Sequence, residues 1–222
     1  MTLQTTATLQ LVLPFEIVPG DDAFLPFDVA VGENAVWVST ARGALARLDL
    51  RVRRLNAMIR LPLKATGELA LGGGGVWVAE SLLGLYRIDP MTDRVVARIR
   101  IGPPTGRFAV DTPIVGGSRV LAIGSWTRNG VLTGKRGLVR IDSKRNRPES
   151  LTPLPSGALT AAFGKGSLWV ARVGGSSVER IEAATGIAVG RLAANDVRML
   201  AFAGSQVWMA TRGGTIRQIR TP

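Results

Sequence analysis

Trp126, Arg128, Lys135 and Arg136 fall within residues 124–136 and set one aromatic ring among three cations. Such a group suits contact with a partner, because tryptophan and arginine supply most of the energy at protein interfaces. Bond-making chemistry is harder to assemble. The chain has no histidine, which removes the commonest general base and the commonest metal ligand together. It has no cysteine either, so thiolate nucleophiles, thiolate metal sites and disulfides are excluded. Serine then lacks an imidazole to activate it. The stretch from Gly130 to Lys135 has the look of a phosphate loop, but only three residues separate its glycines and Arg136 stands where serine or threonine is needed. No catalytic residue is assigned.

Carboxylates offer one further chemistry. Asp21 and Asp22 in the connection over residues 14–26, with Asp28 and Glu68 beyond it, have the oxygen donors that a hard cation such as Ca²⁺ takes. The matching positions in later repeats are Thr112, Thr160 and Met199, so no ring of ligands recurs. Neither a metal nor a cofactor is assigned.

A second set of cations comprises Arg51, Arg53 and Arg54, then Arg94, then Lys144, Arg145 and Arg147. The fourth equivalent turn, Ala183-Ala184-Thr185-Gly186, is neutral. The net charge of +12 points to an acidic partner, expected to be a protein surface; nucleic acid fits the same logic but is not favoured. Arginine outnumbers lysine 24 to 4, a skew that a GC-rich genome also produces. Codon bias would act evenly around the chain, and these turns are uneven.

A repeat positions all of these groups. Val36-Trp37-Val38, Val76-Trp77-Val78, Leu168-Trp169-Val170 and Val207-Trp208-Met209 recur at intervals near forty residues. Each is followed by a strand ending in a triplet: Arg47-Leu48-Asp49, Arg87-Ile88-Asp89, Arg180-Ile181-Glu182, and Arg217-Gln218-Ile219 in the last copy. A worn copy has Leu121 for tryptophan and keeps Arg140-Ile141-Asp142. Four short alternating strands per repeat of this length are the signature of a β-propeller blade. The expected fold is an all-β, five-bladed β-propeller over residues 1–222. Its blades fall at about 27–63, 67–102, 111–154, 158–193 and 197–220. The last blade is one strand short, and residues 6–13 alternate like a fourth strand, so they are expected to pair into it and close the ring. The repeated tryptophans are expected to pack between blades. Blade 3 carries a lengthened middle connection over residues 124–136, where Trp126 is expected either as an exposed contact or as a cover for its own blade.

The residues Val76-Trp77-Val78-Ala79 through Arg87-Ile88-Asp89-Pro90, followed by Val95-Val96, resemble the repeats of the YVTN and streptogramin-lyase (virginiamycin B lyase-like) propellers. The resemblance spans nearly the whole chain and implies fold. The lyases of that group rely on a histidine and usually have seven blades, so their activity is not carried over.

The expected function is a non-catalytic binding or scaffold propeller, a subunit of a larger assembly with an acidic partner surface. A small-molecule or glycan-binding propeller is the alternative, and a metal-dependent, lyase-like enzyme without histidine is the second. Met1 to Thr6 lack the basic start and apolar run of a secretory signal, and no stretch reaches the roughly 20 apolar residues that span a bilayer. The cytoplasm or an assembly is the expected location, with export left open.

Overall fold

The computed structural model describes residues 26–219, apart from 33, 41–42, 53, 62–66, 81–83, 103–106, 117, 129–130, 155–157, 173–175 and 204–205. Short alternating segments separated by turn formers fold here into nineteen strands, with no helix among the described residues. Blade 1 holds β1 (Pro26–Gly32), β2 (Ala35–Thr40), β3 (Ala44–Asp49) and β4 (Arg54–Arg60). Blade 2 holds β5 (Leu69–Gly72), β6 (Gly75–Glu80), β7 (Gly84–Asp89) and β8 (Arg94–Arg100). Blade 3 holds β9 (Arg107–Gly116), β10 (Arg119–Arg128), β11 (Val131–Asp142) and β12 (Arg147–Leu154). Blade 4 holds β13 (Ala158–Gly164), β14 (Ser167–Arg172), β15 (Ser177–Glu182) and β16 (Ala188–Ala193). Blade 5 holds β17 (Val197–Ala203), β18 (Gln206–Thr211) and β19 (Ile216–Ile219). Each strand pairs antiparallel with the next in its blade, and the five sheets form a five-bladed β-propeller. The expected closing strand, residues 6–13, lies outside the described residues.

Successive side chains on a strand point to opposite sides, so every blade has two faces to cover. Blade 2 turns Leu69, Val76, Val78, Tyr86 and Ile88 toward Trp37, Leu45 and Ile59 of blade 1. Its other side sends Trp77, Ala79, Leu85 and Ile99 against Phe108, Val120 and Val139 of blade 3. The same arrangement joins blade 3 to blade 4 and blade 4 to blade 5. One side of each blade is thus led by tryptophan, or by Leu121 in blade 3, and the side that receives it is mostly aliphatic, with Tyr86 in blade 2 and Phe108 in blade 3. Burying an indole between two sheets removes more apolar surface from water than any other side chain would.

Arginine completes the contact. Arg47, Arg87 and Arg180 stand directly across the ladder from Trp37, Trp77 and Trp169, which puts each guanidinium on its ring's side of the sheet. The guanidinium carbons lie 5.6, 5.4 and 5.6 Å from the ring centroids, within reach of cation–π attraction. Two of these side chains extend onward into the next blade. Arg47 Nη1 donates to both carboxylate oxygens of Asp93, at 3.2 and 3.1 Å, in the β7–β8 turn. Arg87 Nη1 donates to Asn146 Oδ1 at 2.8 Å and to the Ser143 carbonyl, in the β11–β12 turn. Arg140, in the blade whose repeat position holds Leu121 instead of tryptophan, still donates to the Ala184 carbonyl in the turn of blade 4.

The receiving turn has its own constraint. Asp93, Asn146 and Gly186 occupy its left-handed position, with φ of 57°, 52° and 75°. Aspartate, asparagine and glycine tolerate that region best, so the backbone requirement and the acceptor requirement select overlapping residue types.

The last repeat corrects one sequence reading. Trp208 pairs across the ladder with Gln218, so the position held elsewhere by arginine belongs to Gln218, and Arg217 faces the other way. The triplet in that repeat therefore begins one residue later, and among the described residues no arginine lies over the tryptophan of blade 5.

Truncating a tryptophan locked between two sheets leaves a large cavity. Trp77→Ala is expected to lower the unfolding free energy by about 3–5 kcal/mol, measured by denaturant titration, whereas a loss below about 1 kcal/mol would show that the ring carries little of the packing.

Candidate functional site

Strand direction sorts the candidate residues onto two ends of the propeller. The inner strands β1, β5, β9, β13 and β17 begin at one end, the mouth, where the connections from the second to the third strand of each blade also lie. The turns from third to fourth strand lie at the other end.

At the mouth, the carboxylates hold neighbouring blades together. Asp28 Oδ2 accepts the Leu69 backbone N–H at 2.8 Å, so blade 1 grips the first residue of the inner strand of blade 2. Thr160 Oγ1 accepts the Leu200 N–H at 3.4 Å between blades 4 and 5 at the matching position. Glu68, between these two in the ring order, hydrogen-bonds Thr112 of blade 3. Protein packed around its carboxyl pushes the Glu68 pKa up, and the carboxylates of Asp28 and Asp111 push it further, against the pull of Thr112 and Arg136. Burial likewise raises Asp111, opposed by Arg136, whose Nη1 lies 2.6 Å from Asp111 Oδ2. No group of three or more acidic side chains among the described residues is arranged to hold a metal ion. Asp21 and Asp22 lie outside the described residues.

The third-blade patch divides. Trp126 is half-buried: its ring meets Phe108 edge-on at 5.2 Å and packs on the core shared by blades 2 and 3. Gly137 makes room for it, since a Cβ there would come within 2.6 Å of the indole. Of the two sequence expectations for this residue, the structure realises the cover over its own blade rather than a freely exposed ring. The lengthened connection is itself strand, because β10 and β11 run to 10 and 12 residues. Arg136 is occupied by Asp111 and by Ser125 Oγ, which accepts from its Nη1 at 3.0 Å. Arg128 and Lys135 are exposed on the hairpin and do not share that network.

At the other end, the turn acids act on the backbone. Asp49 Oδ1 accepts the N–H groups of Arg51 and Val52 at 2.7 and 3.2 Å. Asp142 Oδ1 accepts those of Lys144 and Arg145, both at 2.9 Å, and Asp89 Oδ1 accepts that of Met91, also at 2.9 Å. These donors hold all three carboxyls below their ordinary pKa. Each acid so fixes its turn that the following cations project into water. Arg51, Arg54, Arg94, Lys144, Arg145 and Arg147 are all exposed there, on three successive blades; Arg53 lies outside the described residues. Among the described residues, Arg145 alone of the six forms an ion pair, with Asp142 Oδ2 at 3.0 Å.

A buried ion pair went unrecognised in the sequence. Glu80 is buried at the end of β6, where Arg98 grips it through two bonds of 3.0 and 2.8 Å. Arg98 also lies 5.7 Å from the Tyr86 ring centroid. The signal was a glutamate ending the unbroken apolar run Val76-Trp77-Val78-Ala79, since a charge at such a site requires a partner. The bidentate grip is structural, joining the ends of β6 and β8 within one blade.

No family model and no curated protein matches the chain. Among solved structures, it is similar to the hydrazine synthase of Kuenenia stuttgartiensis, at 13% identity and a TM-score of 0.61, over 95% of this chain and 69% of that one. It is also similar to the computationally designed Ika8 protein, at 12% identity and a TM-score of 0.57, over 88% of this chain and 71% of that one. At these identities the likeness concerns the fold alone.

Charging Glu68 works against folding, because its folded-state pKa lies above the ordinary 4.5. The penalty is absent below 4.5, grows as the pH rises through the window up to the raised value, and is complete above it. Glu68→Gln is therefore expected to melt above the parent protein at pH 7, with the difference closing as the pH falls through that window. A variant that melts lower at pH 7 would mean that the mouth requires the charge.

Proposed function

We propose that the protein is a non-catalytic binding or scaffold propeller, a subunit of a larger assembly, that holds an acidic protein surface against its basic turns. The observation that carries this reading is the row of exposed cations on blades 1 to 3, Arg51, Arg54, Arg94, Lys144 and Arg147, which make no ion pair among the described residues. Exposed like charges at one end of three successive blades repel each other, and a polyanionic surface relieves that repulsion while it binds. The mouth lacks the opposing logic for an anion, since its carboxylates repel one. Arg128 and Lys135 on the blade 3 hairpin are a second, smaller contact in this reading. On the residues quoted from blade 2, the chain is a relative of the YVTN and streptogramin-lyase-like propellers that lacks the histidine chemistry of the lyases.

Polyglutamate is a suitable probe for the cationic row. Binding should weaken steeply as the screening length shrinks from about 10 Å at 0.1 M salt to about 3 Å at 1 M. The triple change Arg51→Glu, Arg54→Glu, Arg94→Glu should abolish it with the melting temperature unchanged. Affinity indifferent to both would overturn the reading.

A further inference from the structure

The second strand of a blade opens on an uncharged residue everywhere except in blade 3. Ala35, Gly75, Ser167 and Gln206 begin β2, β6, β14 and β18, whereas Arg119 begins β10. In blades 2 and 4 this position lies against the arginine that stacks on the indole. A Cβ on Gly75 would come within 3.0 Å of the Arg87 side chain, and Ser167 Oγ accepts Arg180 Nε at 2.9 Å. Blade 3 has Leu121 in place of the indole and Arg119 in place of the small residue, and Arg140 Nε donates instead to Glu149 Oε2 at 3.1 Å. Arg119 and Leu121 are alternate residues of one strand, so both project to the side that Arg140 occupies.

Both arginines line a cleft of about 400 Å³ at the basic end of the propeller, together with Lys144 and the buried Val120 and Ile141. Its lining comes from blades 3 and 4 alone, so the flanks of blades 1 and 5 take no part in it. Two acids also line it, and both are engaged. Asp142 holds its own turn and pairs with Arg145, and Glu149 pairs with Arg140. One arginine of the cleft therefore has its carboxylate and the other does not, because Arg119 is exposed and makes no hydrogen bond or ion pair among the described residues. A guanidinium fits a carboxylate through two parallel bonds, and a recess shields such a pair from the salt that screens charges on open turns.

We propose that Arg119 anchors the acidic partner: an aspartate or glutamate side chain of that protein enters the blade 3 cleft and takes the Arg119 guanidinium through both carboxylate oxygens. Neighbouring acids of the same segment then lie along the exposed cations of blades 1 to 3. This anchor rests on the binding reading above and gives it a fixed position. The open turns supply attraction at a distance, and the cleft decides which acid of the partner stands where.

Fluorescence anisotropy of a labelled hexaglutamate peptide tests this, on the full chain and on Arg119→Ala, Arg119→Lys, Arg147→Ala and Arg147→Lys. Arg119 is exposed and alanine stands at the matching position of blade 1, so the variants are expected to keep the parent melting curve. Affinity should fall by about tenfold in Arg119→Ala. Most of that loss should remain in Arg119→Lys, because an ammonium keeps the charge but cannot hold two oxygens in one plane. Arg147 lies outside the cleft, so Arg147→Lys should bind as the parent does and Arg147→Ala should lose far less than Arg119→Ala. Arg119→Lys at parent affinity would overturn the anchor, since charge alone would then suffice, and so would equal losses in Arg119→Ala and Arg147→Ala. In either case a parent that still binds, and loses binding in the triple glutamate variant of blades 1 and 2, leaves the wider reading standing. A parent that does not bind the peptide sinks that reading and the anchor with it.

Discussion

The structure depends on one contact, the passage from a tryptophan-led blade face through an arginine into the turn of the next blade. A single four-stranded sheet cannot bury both of its sides, so a blade is stable only as a member of a stack. Tryptophan supplies most of the area. The arginine opposite it supplies direction, since its guanidinium lies along the indole and then donates to atoms that only the neighbouring turn presents. Packing alone would let two sheets slide by a residue or rotate a few degrees. The arginine fixes which turn stands beside which ring, and the left-handed position in that turn supplies an acceptor in a place where few residue types are tolerated.

That contact also explains why the two ends of the propeller differ in charge. The turn acids Asp49, Asp89 and Asp142 each spend an oxygen on backbone N–H groups, and of the exposed cations that follow them only Arg145 is seen to pair with one, through the second oxygen of Asp142. At the mouth the acids Asp28 and Glu68 are placed where inner strands start, and they spend their oxygens on the next blade. Basic turns and an acidic mouth therefore arise from two different acid positions of one repeat, the end of the third strand and the start of the inner strand, each used for its own local bonds. Function in this reading is written on the turns because the mouth is occupied with holding the ring.

The period of Trp37, Trp77 and Trp169 was legible because a large apolar ring recurring every forty residues or so has few uses other than inter-sheet packing. The turn acids were legible because aspartate at such a position closes on its own backbone. The last repeat was misread by one residue: Arg217 has the chemistry of the triplet, but Gln218 has the register, and a slip of one along a strand exchanges its two faces. Trp126 showed no partner in the sequence because Phe108 and the space beside Gly137 reach it only through strand pairing. The acceptors of Arg47 and Arg87 stand 46 and 59 residues away in the chain, beyond anything that local spacing reveals.

A double-mutant cycle between Arg47 and Asp93 tests the central contact most directly. Arg47→Ala and Asp93→Gly, singly and together, remove the two ends of the bond, and glycine keeps the left-handed φ of the turn. Denaturant unfolding is predicted to give a coupling of about 0.5–3 kcal/mol between the two sites. Losses that add to within about 0.3 kcal/mol would contradict the account, because the two blades would then be held without the arginine that is said to fix their register.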